Sequence, residues 1–298
     1  MPVTKQEGAA TATDDPVAEI GKQIEVYQRE LDRLNSTASF AYTYLVVAAP
    51  TLAAFLLLII ISQGLLDFTT GITAALFFSL LITCAYLVIT QPAREEKARQ
   101  LQHQIRRLDR QQRNLASGRR GEQEVAFALQ WLPKEYIVIN DIQVASPGLG
   151  AQQLDHVVIG PQGVFHLETK NYNGAVIISP DGQWMLLRPG ENGLVREGID
   201  SPLAQVRRHE MVLRQILGSL NVGREVPLVS LVVLSHPRCI MEGRDPELTV
   251  LKKDHLVSYI TDYQNAAKFS ARQVRRIALA LVRAGTASGT AAGETDGG

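Results

Sequence analysis

The stretch that decides the fold runs from Gln152 to Lys170 and reads QQLDHVVIGPQGVFHLETK. Two runs rich in Val, Ile, Leu and Phe flank a short segment of turn-forming residues, Gly160–Gly163. This pattern predicts a β-hairpin with one strand on each side of the turn. If the turn centres on its proline and glutamine, Ile159 pairs with Val164, and all other pairings in the hairpin follow from that register.

In this register two carboxylates face each other. Asp155 comes opposite Glu168, and Lys170 lies two residues farther along the same face. Like charges in directly opposed positions are destabilising unless a cation joins them. A hard divalent cation coordinated by both carboxylates would satisfy them, whereas Lys170 alone would neutralise only one. A one-residue bulge would break this arrangement.

Three polar residues on predicted helices are further candidates for the same site. Glu122 follows the helical spacing of Val125 and Leu129, which places its carboxylate on the inward stripe of a helix. Alternatively, it is one of the acids that are common in a first helical turn. Gln205 and His209 are four residues apart and border the apolar face of a later helix. They either reach the edge of a site under that helix or cap the core, and a lone histidine is more often structural.

The order of predicted elements places the hairpin in a mixed α/β domain. Residues 118–235 form its main part and residues 236–284 a C-terminal helical part, while segments 1–13 and 285–298 are predicted to be disordered. The predicted strands are 136–144, 153–159, 164–170, 175–179, 184–187 and 228–235, and the predicted helices are 122–132, 202–217, 253–263 and 271–283. The strand at 228–235 is continuously apolar, which is typical of a sheet centre.

Composition excludes several classes of protein. The chain has 298 residues, 30 basic and 30 acidic side chains, and two cysteines, Cys84 and Cys239. These averages exclude a collagen-like chain, a disulfide scaffold and a fully disordered chain. The net charge of zero is a cancellation between unlike parts of the chain, among them an acidic segment at 14–34, net −3, and a basic segment at 94–120, net +6.

Two uncharged and largely apolar runs, residues 40–62 and 69–90, precede the α/β domain. Each is long enough for a helix that crosses a bilayer, so we expect a transmembrane hairpin. The alternative is a pair of buried core helices. The basic segment that follows places both termini and the α/β domain in the cytoplasm by the positive-inside rule. The expectation is an integral, two-span protein of a bacterial cell membrane.

The segments on either side of these runs, 14–36 and 91–117, both have apolar residues at heptad spacing. The hairpin would make them antiparallel neighbours, so we predict a helical coiled-coil stalk with partial charge complementarity. The stalk would pair within one chain or form a homo-oligomer. The alternative is two independent amphipathic helices on the lipid surface, where the basic helix would suit anionic headgroups.

Five motifs that follow one another in order resemble a known family. They are GRRGE at 118–122, QLDHVVIGPQGVFHLETK at 153–170, NYNG at 171–174, Trp184, and SPLAQVRRH at 201–209. This segment, about residues 117–220, is similar to the nuclease-related domain, NERD, which is itself similar to the PD-(D/E)XK restriction-endonuclease-like superfamily. Leu154 stands where the superfamily's name has proline, Ser201 replaces an expected asparagine, and His166 replaces a usually apolar residue.

The resemblance implies a restriction-endonuclease-like α/β fold, with a mixed central sheet flanked by helices, and phosphodiester cleavage that depends on Mg²⁺ or Mn²⁺. By position, Asp155 and Glu168 are the implied metal ligands, and Lys170 the residue that orients or activates the attacking water. Glu122 is the implied additional acid from the first helix. Gln205 is the implied supporting polar residue from the later helix.

We therefore expect a membrane-anchored, metal-dependent nuclease whose partners are nucleic acid, with DNA favoured over RNA, and the lipid bilayer. A second hypothesis is a catalytically silent scaffold with a nuclease-like fold, because fold does not determine function. A third is a membrane-linked sensor whose stalk dimerises. Residues 118–285 contain 19 basic and 17 acidic residues, and this net charge of +2 is low for a non-specific nucleic-acid binder. Arg207, Arg208 and Arg214 could still form a local basic patch beside Gln205.

Overall fold

A computed structural model of the chain describes residues 15–36, 47, 49–54, 56–57, 68–146, 148–190, 193–220, 222–223, 225–265 and 268–292. The predicted disordered segment 1–13 lies outside these residues. The chain divides into two compact units, Met1–Ala116 and Ser117–Gly298. The helices are α1 (Pro16–Asn35), α2 (Phe68–Leu129), α3 (Leu203–Gly218), α4 (Leu256–Asp262) and α5 (Ala271–Ala292). The strands are β1 (Ile137–Ser146), β2 (Gly150–Gly160), β3 (Gly163–Lys170), β4 (Ala175–Ile178), β5 (Trp184–Gly190), β6 (Gly193–Ile199), β7 (Leu228–Leu234), β8 (Ile240–Gly243) and β9 (Thr249–Lys252).

The first unit pairs helix α1 with the part of α2 that precedes Ser117. Gln112 Nε2 donates a hydrogen bond to the carbonyl of Val17 at 3.0 Å. Lys97 Nζ lies 2.7 Å from the carboxylate of Glu30. Gln112 thus contacts the start of α1, whereas Lys97, which is earlier in α2, contacts the end of α1. The two helices are therefore antiparallel. The coiled-coil stalk and the homo-oligomer stay predictions.

The predicted transmembrane hairpin is wrong. A helix that crosses a bilayer needs about 20 consecutive, predominantly apolar residues, and no helix in the described part of the chain is long and apolar enough to do so. Of the first predicted span, 40–62, only residues 47, 49–54 and 56–57 are described. The second, 69–90, belongs to α2, which continues to Leu129. The predicted two-span membrane localisation, with both termini and the α/β domain in the cytoplasm, depends on this hairpin and is wrong for the same reason.

The second unit is built on a five-stranded mixed sheet in the order β1-β2-β3-β7-β9. Strands β1, β2 and β3 are antiparallel neighbours, whereas β7 is parallel to β3 and β9 is parallel to β7. Ile159 pairs with Val164, and His156 pairs with Leu167. The predicted register of the hairpin is therefore confirmed, and so is the α/β class with a mixed sheet flanked by helices.

Helices cover both faces of this sheet. On one face, α3 and α5 pack through a core that includes Val157, Leu213 and Ile277. On the other face, the end of α2 and helix α4 pack through a core that includes Leu129 and Phe165. Strand β3 is thus enclosed by neighbouring strands at its edges and by helices above and below. A polar side chain on β3 is therefore removed from water unless it lies near the strand's end.

A second sheet of four strands has the order β6-β5-β4-β8. The sequence predicts β4 and part of β5, but not β6, β8 or the short β9 of the main sheet. All three missed strands are short or lack a strong apolar alternation. Helix α5 extends to Ala292 and so includes part of the segment that was predicted to be a disordered tail.

Gly121 lets helix α2 approach the end of the main sheet closely. A Cβ at this position would lie 2.6 Å from Ser235 Oγ and 2.7 Å from Asn171 Cβ. These two residues directly follow the parallel strands β7 and β3. Asn171 Nδ2 also donates a hydrogen bond to the carbonyl of Ser117, at 2.7 Å. This close contact fixes the height of Glu122, the next residue of the helix, relative to the end of β3.

Replacing Gly121 by alanine should lower the free energy of unfolding by about 1–3 kcal/mol, because the added methyl group overpacks the contact. Alanine is otherwise the better helix former by about 1 kcal/mol. The matched control is Gly118→Ala, one turn earlier in the same helix, where a Cβ would meet nothing within 4 Å. It should be neutral or stabilising. Urea denaturation followed by circular dichroism measures both, and equal effects of the two substitutions would contradict this account of Gly121.

Candidate active site

Glu168 is a carboxylate buried on the central strand β3. Its side chain is 2% exposed, and its Oε1 accepts a hydrogen bond from Lys170 Nζ at 2.8 Å. Its Oε2 has no hydrogen-bond partner among the described residues. A buried polar atom without a partner is costly, and in native proteins such an atom is usually satisfied by a ligand, an ion or water. This oxygen therefore marks a place for a ligand.

Lys170 joins Glu168 to helix α3. Its Nζ donates both to Glu168 Oε1 and, at 3.0 Å, to Gln205 Oε1. Burial lowers the pKa of Lys170, but Glu168, Tyr172 and Asp155 together raise it, and the pKa lies above its usual value. The ammonium group is therefore held in its charged form. The structure thus brings Glu168, Lys170 and Gln205, which are all predicted site residues, into direct contact.

Asp155 lies just beyond the paired part of the hairpin. The β2–β3 ladder ends at His156 and Leu167, and Asp155 Oδ2 accepts a hydrogen bond from the backbone N–H of Thr169 at 2.7 Å. Burial raises the pKa of Asp155, although this hydrogen bond and the charge of Lys170 act in the opposite direction. The carboxylate is anchored by backbone at the same end of the sheet as Glu168.

Glu122 reaches the same cluster from helix α2. It is half-buried, one turn before the core residue Val125. Burial raises its pKa, and the negative charges of Asp155 and Asp141 raise it further, against the opposing charges of Arg119 and Lys170. The carboxylate of Glu122 is therefore under the influence of Asp155 and Asp141. The alternative of an acid in a first helical turn is wrong, because Glu122 lies in the last turns of α2, which ends at Leu129.

Asp141 is a fourth carboxylate, which is not among the residues predicted from the sequence. Its φ is 51°, and it is the one non-glycine residue with a positive φ in the part of the chain that the structure describes. Its two neighbours in β1 pair with the two residues that flank Asp155, so Asp141 comes opposite Asp155. Gln153 Nε2 donates to its Oδ1 at 2.6 Å. Aspartate tolerates this left-handed conformation better than most residues do, but no sequence pattern predicts that Asp141 adopts it.

Together these groups form an acidic cluster with one lysine. Burial and then the charge of Asp155 raise the pKa of Glu168 to about 7, although Lys170 lowers it. The pKa values of Asp155 and Glu122 are raised as well. A divalent cation would relieve this crowding, and carboxylate oxygens are the donors that Mg²⁺ prefers. The donor chemistry of these residues therefore fits such an ion.

Two buried histidines extend the cluster beyond Glu168. His166 is 0% and His209 3% exposed. His166 Nε2 lies 3.1 Å from His209 Nδ1, which in turn lies 3.6 Å from Glu168 Oε2. His166 Nδ1 lies 3.3 Å from the hydroxyl of Ser230 on β7. The two histidines are 43 residues apart in the sequence, and no local sequence pattern indicates that the fold brings them together.

An open cleft of about 570 Å³ leads to Lys170 and Gln205. The end of β6 and the start of α3 form its walls, and Tyr172 and Arg208 also line it. Arg207 is ion-paired with Glu247, and Arg214 lines a different cavity. The three arginines of α3 therefore do not form one patch, and among them Arg208 is the one that lines this cleft.

The acidic cluster, its lysine and the two histidines all lie within residues 117–235. Residues 117–235 match the family model of the nuclease-related domain, NERD. An uncharacterized protein of Bacillus anthracis is 28% identical over 151 residues, which is 49% of this chain and 64% of that protein. The chain thus covers less than two thirds of this relative. No solved structure matches the chain significantly. The NERD match associates the cluster with a nuclease-like function.

The raised pKa of Glu168 predicts a dependence of stability on pH. The pKa is about 7 in the folded protein against an ordinary value of 4.5, so the folded state holds this proton more tightly than the unfolded chain does. The resulting stabilisation is complete below the unfolded pKa and is lost as the pH rises through the folded pKa. Glu168→Gln removes this loss. The free energy of unfolding of Glu168→Gln minus that of wild type should therefore be larger at about pH 8 than at about pH 5. The expected increase is on the order of 1–3 kcal/mol.

Urea denaturation at both pH values, with EDTA present to remove divalent ions, measures this difference. The control is Glu135→Gln, which removes an exposed carboxylate outside the cluster and should leave the pH dependence of wild type unchanged. Parallel pH profiles of the free energy of unfolding for wild type and Glu168→Gln would contradict a raised pKa of Glu168 in the folded protein.

Proposed function

We propose that this chain is a divalent-metal-dependent nuclease that hydrolyses phosphodiester bonds in nucleic acid, with DNA favoured over RNA. The observation that carries the proposal is the buried Glu168, with one oxygen unpartnered and the other paired with Lys170, beside Asp155 in the NERD region. The order Asp155…Glu168-x-Lys170 is similar to the core of the PD-(D/E)XK superfamily.

Asp155 and Glu168 are the residues that would hold Mg²⁺ or Mn²⁺. Both are anchored on neighbouring strands, and both have raised pKa values that a bound cation would lower again. When bound, such an ion supplies a Lewis acid that stabilises negative charge on the phosphate oxygens. Glu122 would add a third carboxylate from helix α2 to the same acidic cluster.

Lys170 would act on the water and the phosphate. Lys170 lines the open cleft, and its Nζ is fixed by two hydrogen-bond acceptors, Glu168 Oε1 and Gln205 Oε1. A fixed ammonium group can orient the attacking water and stabilise the charge that develops on the phosphoryl group. Gln205 is a positioning residue in this scheme, because it holds Lys170 from helix α3.

Arg208 would contact the nucleic-acid backbone. It lines the same cleft as Lys170 and is exposed, and a guanidinium group suits a phosphate through paired hydrogen bonds. Its position in the cleft offers one basic contact, which agrees with the low net charge of the domain. The same low charge favours a second candidate function, a catalytically silent module that uses the cleft for binding alone.

Cleavage assays on the full chain with Mg²⁺ or Mn²⁺ test the proposal. Plasmid DNA and single-stranded RNA serve as separate substrates. Asp155→Ala and Lys170→Ala should each lower the cleavage rate at least about 100-fold, because they remove a proposed metal ligand and the proposed charge-stabilising group. The matched controls are Asp254→Ala and Lys268→Ala, which change exposed residues outside the site and should cleave as wild type does.

Cleavage that survives both site substitutions would overturn the nuclease proposal, because a contaminating enzyme or another site would then be responsible. Absence of cleavage by wild type, together with absence of thermal stabilisation by Mg²⁺ or Mn²⁺, would favour the silent binding module. Faster cleavage of RNA than of DNA would reverse the proposed preference while leaving the site in place.

Arg208→Gln should weaken nucleic-acid binding by roughly the contribution of one phosphate contact and should reduce the dependence of log Kd on log salt by about 1. The control is Arg214→Gln on the same helix, which removes an arginine outside the cleft and should leave the slope unchanged. Fluorescence anisotropy with a labelled oligonucleotide, measured in Ca²⁺ or EDTA at several salt concentrations, gives both slopes. Equal slopes for wild type and Arg208→Gln would exclude the cleft as the path of the backbone.

A further inference from the structure

His166, Glu168 and His209 offer one ligand atom each, and these three atoms all lie within 4.8 Å of one another. They come from two separate elements, since His166 and Glu168 lie two residues apart on β3 and His209 lies on α3. All three residues are at most 3% exposed. The fold therefore places two imidazoles and a carboxylate around one buried point.

Hydrogen bonding within this group leaves one acceptor unsatisfied. A single proton can join His166 Nε2 to His209 Nδ1 at 3.1 Å. The same His209 nitrogen is 3.6 Å from Glu168 Oε2, which is too far for a hydrogen bond, and this oxygen has no other partner among the described residues. His166 Nε2, His209 Nδ1 and Glu168 Oε2 thus lie close together, and a single proton forms a hydrogen bond between only the first two.

The distances suit a metal ion in place of that proton. With metal–nitrogen bonds of about 2.0–2.1 Å, two nitrogens 3.1 Å apart subtend an angle of roughly 100° at the ion, between the octahedral and tetrahedral values. His166 Nδ1 faces the hydroxyl of Ser230. Such a hydrogen bond to the second nitrogen orients a ligating imidazole and fixes its tautomer.

The charges around the three residues also suit a divalent ion. Both imidazoles are almost fully buried, and each offers a ring nitrogen, the donor atom by which histidine binds metals. Lys170 offsets the charge of Glu168, but Asp155 and Glu122 add negative charge nearby. A cation of charge +2 would therefore be compensated in spite of the burial.

We propose that His166, His209 and Glu168 form a second metal site, which binds a nitrogen-preferring divalent transition ion of the Zn²⁺ class. Two imidazoles and one carboxylate favour such an ion over Mg²⁺, which prefers oxygen donors. The site shares Glu168 with the carboxylate pair proposed for Mg²⁺ but does not require Asp155. It goes beyond the proposed function, because it does not depend on whether the chain cleaves nucleic acid.

Isothermal titration of the metal-free full chain with Zn²⁺ tests this site. We expect one ion per chain to bind in the presence of excess Mg²⁺. His166→Gln and His209→Gln should each weaken Zn²⁺ binding at least about ten-fold, because each removes a ligand. The matched control is the double variant His236→Gln/His255→Gln, which changes histidines outside the cluster and should bind as wild type does. Asp155→Asn should keep Zn²⁺ binding even where Mg²⁺-dependent cleavage is lost, so the two proposals fail separately.

X-ray absorption of the Zn²⁺-loaded wild-type chain provides a measurement that needs no folded variant. Two imidazole nitrogens at about 2.0–2.1 Å are expected in the first coordination sphere. Spectra without imidazole scattering would overturn the proposal. So would unchanged Zn²⁺ affinity in His166→Gln and His209→Gln, provided that circular dichroism shows both variants folded, or failure of wild type to bind Zn²⁺ at all. The three residues would then be a buried hydrogen-bonded group only.

Discussion

A carboxylate taken out of water on the central strand of a sheet has to be compensated from within the protein. Glu168 is in this position, and its one close cationic partner among the described residues is Lys170, at 2.8 Å. Lys170 is held in turn by Gln205 from helix α3. The same helix contributes His209, which faces the other oxygen of Glu168. The position of α3 over β3 is therefore the constraint that the site depends on.

The spacing of the two elements explains why one helix can serve both ends of this group. One helical turn from Gln205 to His209 rises about 6 Å, and alternate residues of a strand are about 6.6–7 Å apart. The step along α3 thus nearly equals the step from Lys170 to Glu168 along β3. Each helix residue meets its strand partner, as the contacts of Gln205 and His209 show.

Much of this arrangement follows from local sequence patterns, because the period of a strand and the turn at Gly160–Gly163 define which residues share a face. The register places Asp155 beside the end of β3 and Lys170 on the face of Glu168 without any knowledge of the rest of the fold.

Three features depend on long-range structure and could not be predicted in this way. The left-handed conformation of Asp141, the contact between His166 and His209, and the second sheet all arise from parts of the chain that are distant in sequence. The membrane hairpin was wrong for a different reason, since absence of charge in a run does not establish that a helix of sufficient length and apolarity forms there.

Glu168 also limits how the proposed metal sites can be related. Lys170 occupies Oε1, so a cation shared with Asp155 either displaces that hydrogen bond or uses Oε2. Oε2 is the oxygen that faces His209, so it is also the oxygen that an ion between the histidines would use. Joint occupancy would therefore require the two ions to share Glu168. Release of Glu168 Oε1 to an ion would cost Lys170 one hydrogen bond. Lys170 would stay anchored in the cleft, because its Nζ also donates to Gln205 Oε1. The tether to Gln205 thus makes joint occupancy structurally feasible.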